Sequence, residues 1–180
     1  MVLQVNSLRE EEHVSEDQLL FQAFSAMAHG AKAVSWACYS SGWWYHNVLD
    51  SEGNKTEQYE KLKSANAKIR ALGNVCFDYN WSSAVRVNAG SKTDVSSFSE
   101  VAFTSDALIG SFNNENGVNA VFISPVEYDS KGTNTLTFKA EKADKVILHV
   151  AEGKRELTPD QAGLYRVELN GAEPCFITAE

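Results

Sequence analysis

Residues 42–50 read GWWYHNVLD, two tryptophans and a tyrosine in a row behind a glycine. Three adjacent large side chains cannot all enter one core, so at least one of Trp43, Trp44 and Tyr45 must face solvent or a ligand. Trp36 and Tyr39 precede them and His46 follows, so the stretch combines flat aromatic faces with a few polar groups. His46 stands alone and reads first as a surface-loop histidine. The acidic run Glu10–Glu12 precedes a helix start, where its charge favours the helix dipole. Cys38, Cys76 and Cys175 are widely separated and form no CxxC pair, so neither a zinc site nor a disulfide framework is indicated. Each reads as a small buried hydrophobe in a reducing compartment. No metal and no cofactor is expected.

The elements that position these residues follow two different periods. The chain has 180 residues, 43% hydrophobic and 22% charged, as expected of a globular protein. With 16 basic and 24 acidic residues its net charge is −8, and no basic cluster overrides a field that repels phosphate backbones, so no nucleic-acid partner is expected. No apolar run approaches the roughly 18 residues of a membrane span. The opening MVLQVNSLREEEHV has neither a basic leader nor an apolar signal core, so a cytoplasmic location is expected. The sequons Asn54–Thr56 and Asn80–Ser82 then carry no weight.

In residues 1–73 the order is strand (around 2–5), helix, strand, helix. Ser15 with Gln18 forms a capping-box signature. Leu19, Leu20, Phe24, Met27 and Ala28 then recur at helical spacing, with Ala23 filling the stripe and Gly30 as a stop. This predicts a helix over 15–29. AKAVSWACY suits a strand buried on both faces. Tyr59, Leu62, Ala65, Ile69 and Leu72 predict a second helix over 55–72, closed by Gly73. From residue 74 the helical period vanishes. Eight short stretches (AVRVN, EVAFT, ALIGSF, VNAVFI, NTLTFK, KVILHV, LYRVEL, CFITA), separated by clusters such as NNENG, DSKG and TPDQAG, predict an antiparallel sandwich over 84–178. The expected division is 1–73 and 74–180.

QLLFQAFSAMAHGAKAVSWACY, the aromatic loop, and VLDSEGNKTEQYEKLKSANAKIRALG together resemble the end of a (β/α)₈-barrel glycoside hydrolase of the β-galactosidase-like type, family 42 and its relatives. SDALIGSFNNENGVNAVFISP and GLYRVELNG are similar to the small sandwich that follows such barrels. The resemblance implies an α+β chain: a truncated barrel remnant of two strands and two helices, followed by an antiparallel β-sandwich. Barrel sites lie at the C-terminal ends of strands. There SSGWWYHN would form part of a sugar-binding wall, with Trp36, Tyr39, Trp43, Trp44, Tyr45 and His46 as candidate stacking and hydroxyl-binding residues. The bland roles stand beside this one: Trp36 filling the barrel interior or packing on a helix, and Trp43 or Trp44 merely covering the core.

The same resemblance implies two carboxyl groups flanking the scissile bond, at the ends of strands four and seven. Strand four has no counterpart here, and the segment aligned with strand seven carries Gln4 or Asn6, amides that cannot act as nucleophiles. Glu10, Glu11 and Glu12 lie too far along. No catalytic residue is assigned. The expectation is the C-terminal fragment of a carbohydrate-active hydrolase, inactive alone. The alternatives are a non-catalytic carbohydrate-binding module and a protein-interaction module. The expected partners are an oligosaccharide and either a second copy or a complementary chain that completes the barrel.

Overall fold

The computed structural model describes residues 1–40, 42–129 and 131–180; Ser41 in the aromatic loop and Ser130 in the expected turn DSKG lie outside the described residues. After strand β1 (Val2–Gln4), helix α1 (Glu16–Ala28) starts where its cap predicts. The Gln18 amide donates to Ser15 Oγ at 3.1 Å, and the Ser15 amide donates to Gln18 Oε1 at 2.9 Å, so two otherwise orphaned donors satisfy each other's residue. Gly30 ends the helix at φ +81°, and it also lies under Trp81, whose Cβ would stand 2.5 Å from any methyl placed there.

Strand β2 (Ser35–Ala37) pairs in parallel with β1, in the register Leu3 to Trp36. The expectation of a strand buried on both faces fails here. Ser35 is exposed and Trp36 and Ala37 are half-buried, because one side of the pair meets the helices and the other has no neighbour among the described residues. Helix α2 (Glu57–Cys76) overruns Gly73, the expected stop. Cys76 continues its buried stripe, and Lys32 Nζ donates to the carbonyls of Cys76 (3.1 Å), Phe77 (2.7 Å) and Tyr79, accepting the role of a C-terminal cap. The three thiols are free; Cys76 and Cys175 are buried, and Cys38 is half-buried rather than interior as expected.

Beyond α2 the chain is antiparallel throughout. The strands are β3 (Asn80–Val87), β4 (Lys92–Val95), β5 (Phe98–Phe103), β6 (Ala107–Asn113), β7 (Asn119–Pro125), β8 (Thr133–Ala140), β9 (Val146–Val150), β10 (Gly153–Leu157), β11 (Tyr165–Asn170) and β12 (Cys175–Ala179). They form a six-stranded sheet, β10-β9-β12-β7-β6-β3, over a four-stranded one, β11-β8-β5-β4. The sandwich begins at Asn80, before the expected residue 84, and holds two strands that the alternating pattern did not indicate, β4 and β10. Both are outermost in their sheets, where polar side chains are tolerated.

Two cores result. One lies between the sheets, around Phe98, Phe103, Ile109, Ile123, Leu136, Phe138 and Ile177. The other lies between the outer face of the six-stranded sheet, through Phe112, Phe122 and Phe176, and the layer built from α1, α2 and β1, through Leu19, Phe24, Leu62, Leu72 and Val5. The central strands of the six-stranded sheet are therefore covered on both faces, which is why β7 and β12 read as unbroken buried runs, while the edge strands β3 and β10 stay exposed. The helices come down onto β6 at Gly110, where an added Cβ would stand 2.1 Å from the Ala28 carbonyl oxygen.

Candidate functional site

The C-terminal ends of β1 and β2 converge on a polar network under the aromatic loop. Asn6 is 5% exposed, and its side-chain amide donates to the Cys38 carbonyl at 3.2 Å and to Asn47 Oδ1 at 3.4 Å. Gln4 Nε2 donates to the Asn6 carbonyl at 2.7 Å. Gln58, buried on α2, donates to the carbonyls of Val5 (2.7 Å) and Val14 (3.1 Å). Buried amides must find partners, and these find them in the two strand ends and the loops that leave them. Gln4 and Asn6 are thus both engaged with the backbone.

Ser7 and Tyr45 exchange backbone hydrogen bonds at 3.1 and 2.8 Å, fixing the loop across the end of β1. His46, at φ 55°, turns the chain there; its Nε2 lies 2.7 Å from the Glu10 carbonyl and so carries the proton, and its ring stacks on His13 at 3.6 Å between centroids. Val48, fully buried, then pins the chain, and the Asp50–Asn54 turn leads to Thr56, which caps α2 through the Gln58 amide at 3.1 Å. The amide and side chain of Asn54, both on Asp50, hold the Asp50 carboxyl below its usual range.

On this frame the six candidate residues divide. Trp36 points into the helix layer: its indole Nε1 donates to Asn66 Oδ1 of α2 at 3.0 Å and its ring packs against the second core. Trp44 folds back over Gly42, where a Cβ would stand 2.6 Å from the ring, and its Nε1 donates to the Ser40 carbonyl at 3.0 Å. Trp43 stacks edge-on against Trp44, centroids 5.4 Å apart, and is 75% exposed. Tyr39 and Tyr45 are exposed at 44% and 42%. Trp43, Tyr39 and Tyr45 offer aromatic surface to solvent, and Trp44 and His46 support them. Sequence reasoning named these residues but missed Asn6, Asn47 and Gln58 as the network beneath; burial of an amide leaves no local trace in sequence.

Two of the carboxylates near this end are paired with cations. Glu12 pairs with Arg9 at 3.0 Å on the surface. Glu57, in the first turn of α2, is held below its usual range chiefly by Lys61 at 2.8 Å, with smaller electrostatic shares from His13 and His46. No group of His, Cys, Asp and Glu among the described residues is arranged to hold a metal ion, and no described helix is long and apolar enough to cross a membrane.

No family model matches the chain, and no curated protein does. Solved structures do resemble it. A GH30 endoxylanase from Clostridium papyrosolvens C71 is 10% identical over 99% of this chain and 42% of its own, with a TM-score of 0.44. The catalytic domain of the GH30 xylanase C from Talaromyces cellulolyticus is 14% identical over 98% of this chain and 40% of its own, TM-score 0.44. The glycoside hydrolase family 30 subfamily 8 xylanase from Clostridium acetobutylicum is 12% identical over 99% of this chain and 42% of its own, TM-score 0.43. The chain spans about two fifths of the length of each. These are family 30 enzymes, not the family 42 β-galactosidase-like type.

Proposed function

We propose that the chain is the C-terminal part of a carbohydrate-active protein of the glycoside hydrolase type, and that the loop after β2 contributes an aromatic wall to a sugar site. One observation carries this reading: Tyr39, Trp43 and Tyr45 stand exposed on a hydrogen-bonded frame at the C-terminal ends of two adjacent parallel strands. Pyranose rings present flat C–H faces, and exposed rings held in place lose little freedom on stacking. The acid/base pair such chemistry needs lies outside these residues, since Gln4 and Asn6 are amides engaged in backbone contacts.

Isothermal titration of the chain with neutral oligosaccharides tests the reading. Weak binding that is lost in Trp43→Ala, with unchanged circular dichroism, supports it; binding unaffected by Trp43→Ala and Tyr39→Ala removes the aromatic wall. A non-catalytic binding module is the second reading, favoured by the same engaged amides. The two part on hydrolysis of aryl glycosides when the chain is supplied with a complementary segment carrying the missing acids.

A further inference from the structure

A large cleft lies away from the aromatic loop. It opens at the end of the sandwich where β7, β9 and β11 stop and the first turns of α1 pass over, and it holds about 830 Å³. That volume suits a ligand of several rings. Phe21 of α1 and Tyr128 form one wall, rings tilted at 41° with centroids 5.6 Å apart, and Pro125, Leu148 and Pro174 add apolar surface below them. Four cations line it: Lys68, Lys131, Lys154 and Arg155. Four acids do as well: Asp17, Glu152, Glu168 and Glu173.

We propose that this cleft is a second binding site, for an uncharged oligosaccharide; the inference does not depend on the aromatic loop binding anything. An anion entering would meet four carboxylates on a molecule of net charge −8, and a cation would meet four ammonium or guanidinium groups. A purely apolar guest would strip water from charged side chains and give nothing back. Sugar hydroxyls both donate and accept, so one neutral ligand answers both signs of charge while its C–H faces lie on Phe21 and Tyr128. Glu173 fits the same need. It is half-buried and accepts the Asn170 amide at 3.1 Å, and burial, with the nearby Glu152 adding to it, raises its pKa.

The test is a nitrogen-15 NMR titration of the full chain with cellotetraose, xylotetraose and β-1,4-galactotetraose to millimolar concentration. The expected result is saturable shifts at Tyr128, Glu152–Arg155 and Asn170–Glu173 with at least one of them. Arg155→Ala and Glu152→Gln, both on exposed side chains and so neutral to folding, should each weaken those shifts about ten-fold, while Trp43→Ala leaves them intact. Shifts confined to residues 39–46 would overturn the cleft and leave the aromatic wall standing; shifts confined to the cleft would do the reverse. Absence of shifts with all three sugars, or preference for a hexuronate oligomer over them, would sink the proposal.

Discussion

Trp36 and Trp43 flank the end of β2 and meet opposite surroundings, and their substitutions should separate accordingly. Trp36→Ala removes ring packing on the second core and leaves Asn66 of α2 without its indole donor, a loss of roughly 2–4 kcal/mol. Trp43→Ala should stay within about 0.5 kcal/mol, since most of its ring already faces water. Urea unfolding of the two variants checks both figures. The sequence places Trp36 within the strand and Trp43 in the loop after it but does not show what each packs on, because the deciding partner, Asn66, lies far along the chain. Glu100 shows the same distance problem in its charge. Its backbone sits at φ 52° in the β5 irregularity, its amide donates to Asp94 Oδ1 at 2.9 Å, and its carboxylate lies between Lys139 and Lys92. Hydrogen bonds from these two ammonium groups, Lys139 foremost, lower its pKa from 4.5 to about 2. A depressed carboxylate stabilises the fold fully above the unfolded pKa and ceases to do so as pH falls through the folded one. Between about pH 4.5 and pH 2, Glu100→Gln should therefore lose stability less steeply than the parent, and a carbon-13 titration of the parent should place the Glu100 midpoint near 2. A midpoint at the ordinary value would show that the two lysines do not hold it.

Elements were legible where their signal is local. Ser15 and Gln18 announce α1 within four consecutive residues, and the structure makes both bonds of the cap. β7 and β12 announce themselves through the short apolar runs AVFI and CFI because both of their faces are covered. Signals fail where the cause is remote. β4 and β10 lie at sheet edges, so KTDV and GKREL carry no apolar alternation. The end of α2 is set by Lys32, which no pattern within the helix could indicate. Gly110 is the sharpest case. Nothing in ALIGSF marks it, and its backbone needs no glycine on conformational grounds. Its lack of a side chain lets the Ala28 carbonyl approach the six-stranded sheet. Gly110→Ala must push backbone against backbone, so it should destabilise by about 1–3 kcal/mol, and Gly110→Val by more. A Gly110→Ala protein with an unchanged unfolding midpoint would mean the helix layer rides higher on β6 than described.

At the scale of the whole molecule, the two helices pack on the sandwich. Phe24 meets Phe122, centroids 6.1 Å apart, so the sandwich covers the apolar faces of the helices. What stays open is the far side of β1 and β2. Among the described residues each of the two has one partner strand, Val2 is 69% exposed, and Gln4 and Ser35 are exposed beside it, with only the Gln4 backbone engaged on that side, by the Gln22 side chain of α1 at 2.9 and 3.0 Å. Unpaired strand edges recruit further strands, and a two-stranded sheet is marginal by itself. We expect the isolated chain to associate through this edge at micromolar concentration, each copy supplying strands to the other in a closed pair. Val2→Lys adds a charge on the open side without touching either core. It should return the protein to a monomer and leave the thermal midpoint of the sandwich unchanged at low protein concentration. Light scattering across a hundred-fold dilution series decides the matter. A monomer mass at every concentration, identical for parent and Val2→Lys, would show that the β1–β2 pair persists unpartnered on the support of Asn6, Gln58 and Trp36 alone.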